Sequence, residues 1–65
     1  MRIKGEDIRA LLERYDLYRG DIRRIIILPH ELQIFTLART EDGYPFIREG
    51  EVAEDVEIHE VIAPW

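Results

Sequence analysis

Residues 25–38, IIILPHELQIFTLA, form the densest apolar stretch of this chain, and alternating them leaves no polar face. A run of β-branched residues divided by a proline reads as two adjacent strands, because Pro29 lacks the N–H that a helix interior needs. Successive side chains in a strand point to opposite faces, so strands that are apolar at both parities need two covers. One helix can supply only one.

A length of 65 residues allows a single small domain, residues 1–65, whose core rarely supplies more than about 3 to 5 kcal/mol. Domains of this size are usually reinforced by disulfides, a metal or self-association. With no Cys and only two His, self-association is the remedy left open. Hydrophobic residues at 46% and charged residues at 35% exclude a disordered chain. No segment has the length of a membrane span or the pattern of a signal peptide, so a cytoplasmic protein without a membrane role is expected.

The net charge of −5 is unevenly spread. Residues 1–40 carry eight Lys/Arg against six Asp/Glu, whereas residues 41–65 carry Arg48 against eight Asp/Glu, giving +2 and −7. The acidic half repels phosphate, and no direct nucleic-acid binding is expected.

Ile8, Leu11, Leu12 and Tyr15 fall at i, i+3, i+4 and i+7, which predicts a helix of about ten residues with Gly5 as its N-cap. Strands are expected over residues 23–28, 32–40, 44–48 and 56–62, the first three in meander order. Pro29 cannot take the positive φ of a two-residue type I′ turn, so a three-residue loop, Pro29 to Glu31, is expected there. Asp42-Gly43 is a strong two-residue hairpin signal that pairs Ala38 with Ile47 and makes 44–48 an edge strand through Pro45. The fold class is therefore α+β, an N-terminal helix packed on a three- to four-stranded antiparallel meander sheet.

These registers place Ile26, Leu28, Leu32, Ile34, Thr36, Ala38 and Ile47 on one face; the helix can close over either face, and the small Thr36 and Ala38 give its backbone room on this one. Ile25, Ile27, Phe35, Leu37 and Phe46 share the other and are the candidate interface residues. A one-residue slip in the first loop exchanges the faces of the first strand but leaves both apolar. Trp65, an aromatic after Ala63-Pro64, is a further candidate, either closing the core or anchoring in a partner. The C-terminal strand can pair within its own sheet or with a partner's. Its acidic residues Glu57 and Glu60 complement Arg19, Arg23 and Arg24 near the first strand.

Catalytic signatures are missing. The chain has neither Cys nor Ser and no glycine-rich loop after a strand, so no enzyme and no cofactor is expected. His30-Glu31 and His59-Glu60 are zinc-type residues without the i, i+4 helical spacing of a zinc site, and no metal is expected. Arg19-Gly20-Asp21 reads as an ordinary helix-to-strand connection.

The opening Arg2-Ile3-Lys4-Gly5-Glu6-Asp7-Ile8, the passage from one helix into Ile25-Ile26-Ile27-Leu28-Pro29, and the run from Ile34 to Gly43 resemble, in layout, small uncharacterised accessory proteins of tailed phages infecting actinobacteria. The resemblance carries no diagnostic motif and transfers no functional residue. It implies an accessory role in a host cytoplasm, such as binding a host protein. The expected function is thus a small non-enzymatic interaction protein, self-associating as a homodimer through an apolar sheet face. The alternative is an acidic nucleic-acid mimic, in which the carboxylates of residues 41–60 occupy a DNA-binding protein.

Overall fold

A computed structural model describes residues 1–64. The helix, α1, spans Gly5–Arg14, with Glu6 and Asp7 in its first turn and Arg14 in its last, matching the helix dipole at both ends. Lys4, one residue before the expected cap, is the N-cap and makes no side-chain capping bond. At the other end Asp16 takes a left-handed φ of 57°. The Asp16 N–H donates to the Glu13 carbonyl and the Leu17 N–H to the Leu12 carbonyl at 2.8 Å, a Schellman motif. Its usual apolar contact is supplied by buried Leu12 and half-buried Leu17.

An aspartate in the left-handed region costs about 1–2 kcal/mol, and its carboxylate also faces the negative end of the helix dipole. Asp16→Gly is therefore expected to stabilise the protein by roughly 1 kcal/mol. Urea denaturation checks this, and a loss of stability would contradict it.

Strands β1 (Ile22–Leu28), β2 (Glu31–Leu37) and β5 (Glu54–Glu60) form an antiparallel sheet in the order β1-β2-β5. Between β2 and β5 the chain makes an excursion that contains a second, two-stranded sheet, β3 (Ile47–Arg48) with β4 (Glu51–Val52). This is the expected α+β class, but its third strand is the C-terminal one. The expected strand at 44–48 is reduced to the bridge Arg39–Pro45 and the two residues of β3, because Pro45 cannot donate to a ladder.

The two anticipated loops exchange lengths. Leu28 pairs with Glu31, so the first loop is only Pro29-His30, and neither residue has a positive φ. Proline suits the first central position of a type I turn, which joins the strands without a left-handed residue. The Thr40 N–H donates to the Tyr44 carbonyl and the Gly43 N–H to the Thr40 carbonyl, leaving the three residues 41–43 in the second loop, with Gly43 at φ 88°. The tight type I′ geometry instead occurs at Glu49-Gly50, where φ values of 52° and 82° join β3 to β4.

Four residues are buried among those described: Leu12, Ile34, Ala38 and Ala53. The two alanines mark the root of the excursion. There the Ala38 N–H donates to the Ala53 carbonyl and the Ala53 N–H to the Phe46 carbonyl, and small side chains let three backbone segments meet. The accessible surface is 5708 Å², whereas a compact monomer of this mass exposes about 4,400 Å², roughly 1,300 Å² less. The radius of gyration, 13.8 Å, likewise exceeds the ~10.7 Å of a compact 65-residue domain.

Candidate interaction face

Side-chain alternation through the observed register sorts the sheet into two faces. On the helix side lie Ile22, Ile25 and Ile27 of β1, Leu32, Ile34 and Thr36 of β2, and Asp55, Glu57 and His59 of β5. Leu12 and Ile8 of α1 share a shallow cavity with Ile22 and Ile25, which places the helix over the end of this face nearest its own connection. Ile34, the central residue, is completely buried.

The helix side also holds the polar clasp that ties the connection after α1 to β5. Arg19 donates through Nε and Nη2 to both carboxylate oxygens of Glu57 at 3.0 Å, and through Nη1 to the carbonyls of Asp16 and Tyr18 at 3.1 Å. His59 Nε2 stands 2.7 Å from Glu57 Oε2. Hydrogen bonding to His59, and then to Arg19, holds the Glu57 carboxyl below its ordinary value of 4.5 against the opposing effect of partial burial. A carboxyl depressed in the folded state stabilises above the unfolded value and loses that contribution as pH falls through the folded value. Glu57→Gln is accordingly expected to lower the melting temperature at neutral pH, with the difference from wild type vanishing below the carboxylate range. Melts taken from neutral to about pH 3 test this, and a difference independent of pH would refute it.

The outer face reads as rows across the three strands. Leu28, Glu31 and Glu60 form the row at the β1–β2 tip; next come Ile26, Gln33 and Ile58, then Arg24, Phe35 and Val56, and finally Leu37 with Glu54. No helix covers it. Ile58 is 59% exposed, Val56 52% and Leu28 42%, while Ile26 and Phe35 are half-buried. The end remote from the tip is strapped by Arg24, whose guanidinium lies 4.0 Å from the Phe35 ring centre and reaches Glu54 at 3.2 Å. Arg23, the extra residue of a bulge in β1, meets the same carboxylate at 3.3 Å. A cavity of about 450 Å³ opens beside this strap, between the sheet and the β3–β4 hairpin.

The candidate interface residues are therefore regrouped. Phe35 and Leu37 lie on the outer face as expected. Ile25 and Ile27 do not, because the shorter Pro29-His30 loop slips β1 by one residue and turns them to the helix side. Phe46 lies in the excursion, with the Arg48 guanidinium 5.3 Å from its ring centre. Trp65 lies outside the described residues. Their places on the outer face are taken by Ile26 and Leu28, and by Val56 and Ile58 of β5. The alternation of Val56, Glu57, Ile58 and His59 was a visible signal for β5, but not for its neighbour.

Strand alternation also separates the zinc-type residues. Glu31 and Glu60 are cross-strand partners on the outer face, whereas His59 lies on the helix side and His30 in the turn. Among the described residues no three of His, Asp and Glu gather as a metal site, and no helix is long and apolar enough to cross a membrane. Searches against protein-family models, curated proteins and solved structures find no match to this chain.

Proposed function

We propose that this chain is a small non-enzymatic interaction protein that works as a homodimer, with the outer sheet face as its assembly surface. The surface excess of roughly 1,300 Å² over a compact monomer carries this reading, since a standard stable interface removes about 800 Å² from each partner. The core of four buried residues among those described points the same way, as it is small for a domain that must stand alone. The resemblance in layout to tailed-phage accessory proteins suggests a context for this reading, in which the assembled dimer holds a host protein in the host cytoplasm.

The nucleic-acid mimic is less favoured by the placement of its carboxylates. Glu57 is engaged by Arg19 and His59, Glu54 by Arg23 and Arg24, and β5 divides the rest of its acidic residues between two faces.

Sedimentation equilibrium of the purified protein tests the proposal, with twice the 7.8 kDa chain mass expected at micromolar concentration. Dimerisation also links stability to concentration by mass action, so the melting temperature should rise as the protein is concentrated. A monomer whose melting temperature ignores concentration would overturn the reading.

A further inference from the structure

The order β1-β2-β5 leaves two sheet edges, and an edge presents a row of N–H and C=O groups that is a template for a further strand. Along β1 that row can be assigned. A two-residue hairpin is closed by a pair that exchanges both hydrogen bonds, here Leu28 and Glu31, so Ile26 and Arg24 also turn their backbone groups toward β2. The N–H and C=O of Ile25 and Ile27 then point away from the sheet. On β2 the same alternation directs His30 toward β5, in agreement with the bond from the Val61 N–H to its carbonyl. No backbone bond outside the β1–β2 ladder reaches residues 23–28 among those described.

The usable part of this edge has sharp limits. Arg23, the extra residue of the bulge, breaks the row at one end, and Pro29 has no N–H at the other. Between them residues 24–28 carry one charge, Arg24, whose guanidinium is held over Phe35 and on Glu54. Ile25 to Leu28 have none of the charges, prolines or bulges that blunt an edge. Ile27 is 56% exposed on the helix side and Leu28 42% exposed on the outer face. No partner on a single face covers both, whereas a strand laid beside β1 shields the flanks of both.

β5 is guarded instead. Four of its seven residues are acidic, and the register that pairs the whole strand with its own copy sets Glu54 against Glu60 and Glu57 against itself. Pairing β1 with the β5 of another copy leaves one β1 and one β5 open at every stage, so it grows without closing. β1 against β1 closes after one step. A two-fold axis at Ile26, the centre of 24–28, places Ile25 opposite Ile27, Ile26 opposite itself and Arg24 opposite Leu28. The outward groups of Ile25 and Ile27 then face each other, which gives about four backbone bonds and brings no like charges together.

We propose that β1 pairs antiparallel with β1 of a second copy about a two-fold axis at Ile26, so that two three-stranded sheets become one of six. This goes beyond the face assembly and does not depend on it. The axis stands normal to the sheet, so both outer faces end on the same side and stay free for their own partner. The short edge makes a smaller contact than a standard interface, so it pairs at submillimolar concentration, above the micromolar range of the face dimer.

A single cysteine reads the register, since the chain has none of its own. Directly opposed residues of a non-hydrogen-bonded pair stand about 4.5 Å apart at Cα, within disulfide reach, so Ile26→Cys should oxidise to a covalent dimer. Leu28→Cys, on the same face, sits about 13 Å along the strands from its copy and should crosslink at least about tenfold more slowly. Both are placed in Ile58→Lys, whose charge opposes the face assembly, so that edge contacts alone are read. Should Ile26→Cys disturb the fold by circular dichroism, methylation of the Ile27 amide nitrogen in a synthetic Ile58→Lys chain removes an outward donor and keeps the remaining side chains. It should raise the submillimolar dissociation constant at least about tenfold by sedimentation. Equal crosslinking of the two cysteines, or a methylated chain that associates as its parent does, would overturn the edge pairing while leaving the face dimer standing.

Discussion

Ile58→Lys is expected to give a folded monomer. Burying an isoleucine completely stabilises by about 1.5–3 kcal/mol, and the 59% of Ile58 still open corresponds to roughly 1–2 kcal/mol for each copy. Two-fold symmetry counts that loss twice, and a lysine ammonium placed in the interface adds a desolvation cost. The dimer dissociation constant should therefore rise at least about a hundredfold. Folding should survive, because the position is open in the single chain and an exposed lysine is ordinary on an edge strand. The introduced ammonium would also stand two residues from Glu60, which has no ion-pair partner among the described residues of its own chain.

The same substitution elsewhere discriminates between faces. Ile27 is 56% exposed but lies on the helix side, and Ile62 is 83% exposed beyond the sheet. Ile27→Lys and Ile62→Lys should leave the dimer intact. Sedimentation of the three variants beside their far-ultraviolet circular dichroism separates loss of assembly from loss of fold. If Ile27→Lys dissociates the dimer and Ile58→Lys does not, the helix side is the interface and the proposal fails.

That contrast depends on one residue of loop length. The strands themselves were legible: β-branched runs ending at Pro29 and beginning again at Leu32 leave few alternatives, and the stripe from Ile8 to Tyr15 specifies the helix. Register was not. Whether Pro29 opens a two-residue type I turn or a longer loop depends on which pairing buries more side chain, a tertiary quantity that local turn preference does not contain. Because strand periodicity is two, that single residue moved Ile25 and Ile27 to one face and Ile26 and Leu28 to the other. The demand for a second cover survived the exchange, since both parities of β1 are apolar.

The position of β5 was hidden for a different reason. Its alternation marks it as a strand, but adjacency to β2 is a non-local pairing across the excursion, and nothing within residues 54–60 encodes it. Charge offered part of the answer. Arg19, Arg23 and Arg24 do meet acidic residues of β5, at Glu57 and Glu54, and this holds the N-terminal connection and the β1 bulge against the far strand. The helix end was legible in retrospect, because Leu12, Asp16 and Leu17 occupy the three informative positions of a Schellman motif. Aspartate at the left-handed position, where glycine is usual, weakened that signal.

Ile34→Ala is expected to unfold most of the protein at low concentration. Ile34 is the one large side chain completely buried among the described residues, and it sits between Ile25 of β1 and Glu57 of β5 in the central strand. Truncating a buried isoleucine to alanine costs about 2–5 kcal/mol, since the cavity left behind closes only partly. Two of the other three buried residues are alanines, so little apolar mass stands nearby to fill it. Against a core worth roughly 3–5 kcal/mol, the loss consumes most of the stability of the isolated chain. Ile34→Val removes one methylene, costs about 0.5–1.5 kcal/mol and should stay folded. Assembly enters here as well: dimer formation stabilises only the folded state, so concentrating Ile34→Ala should recover part of its sheet signal by mass action. Urea denaturation at two protein concentrations measures both effects. An Ile34→Ala midpoint close to that of Ile34→Val would show that the sheet is held by something other than this core.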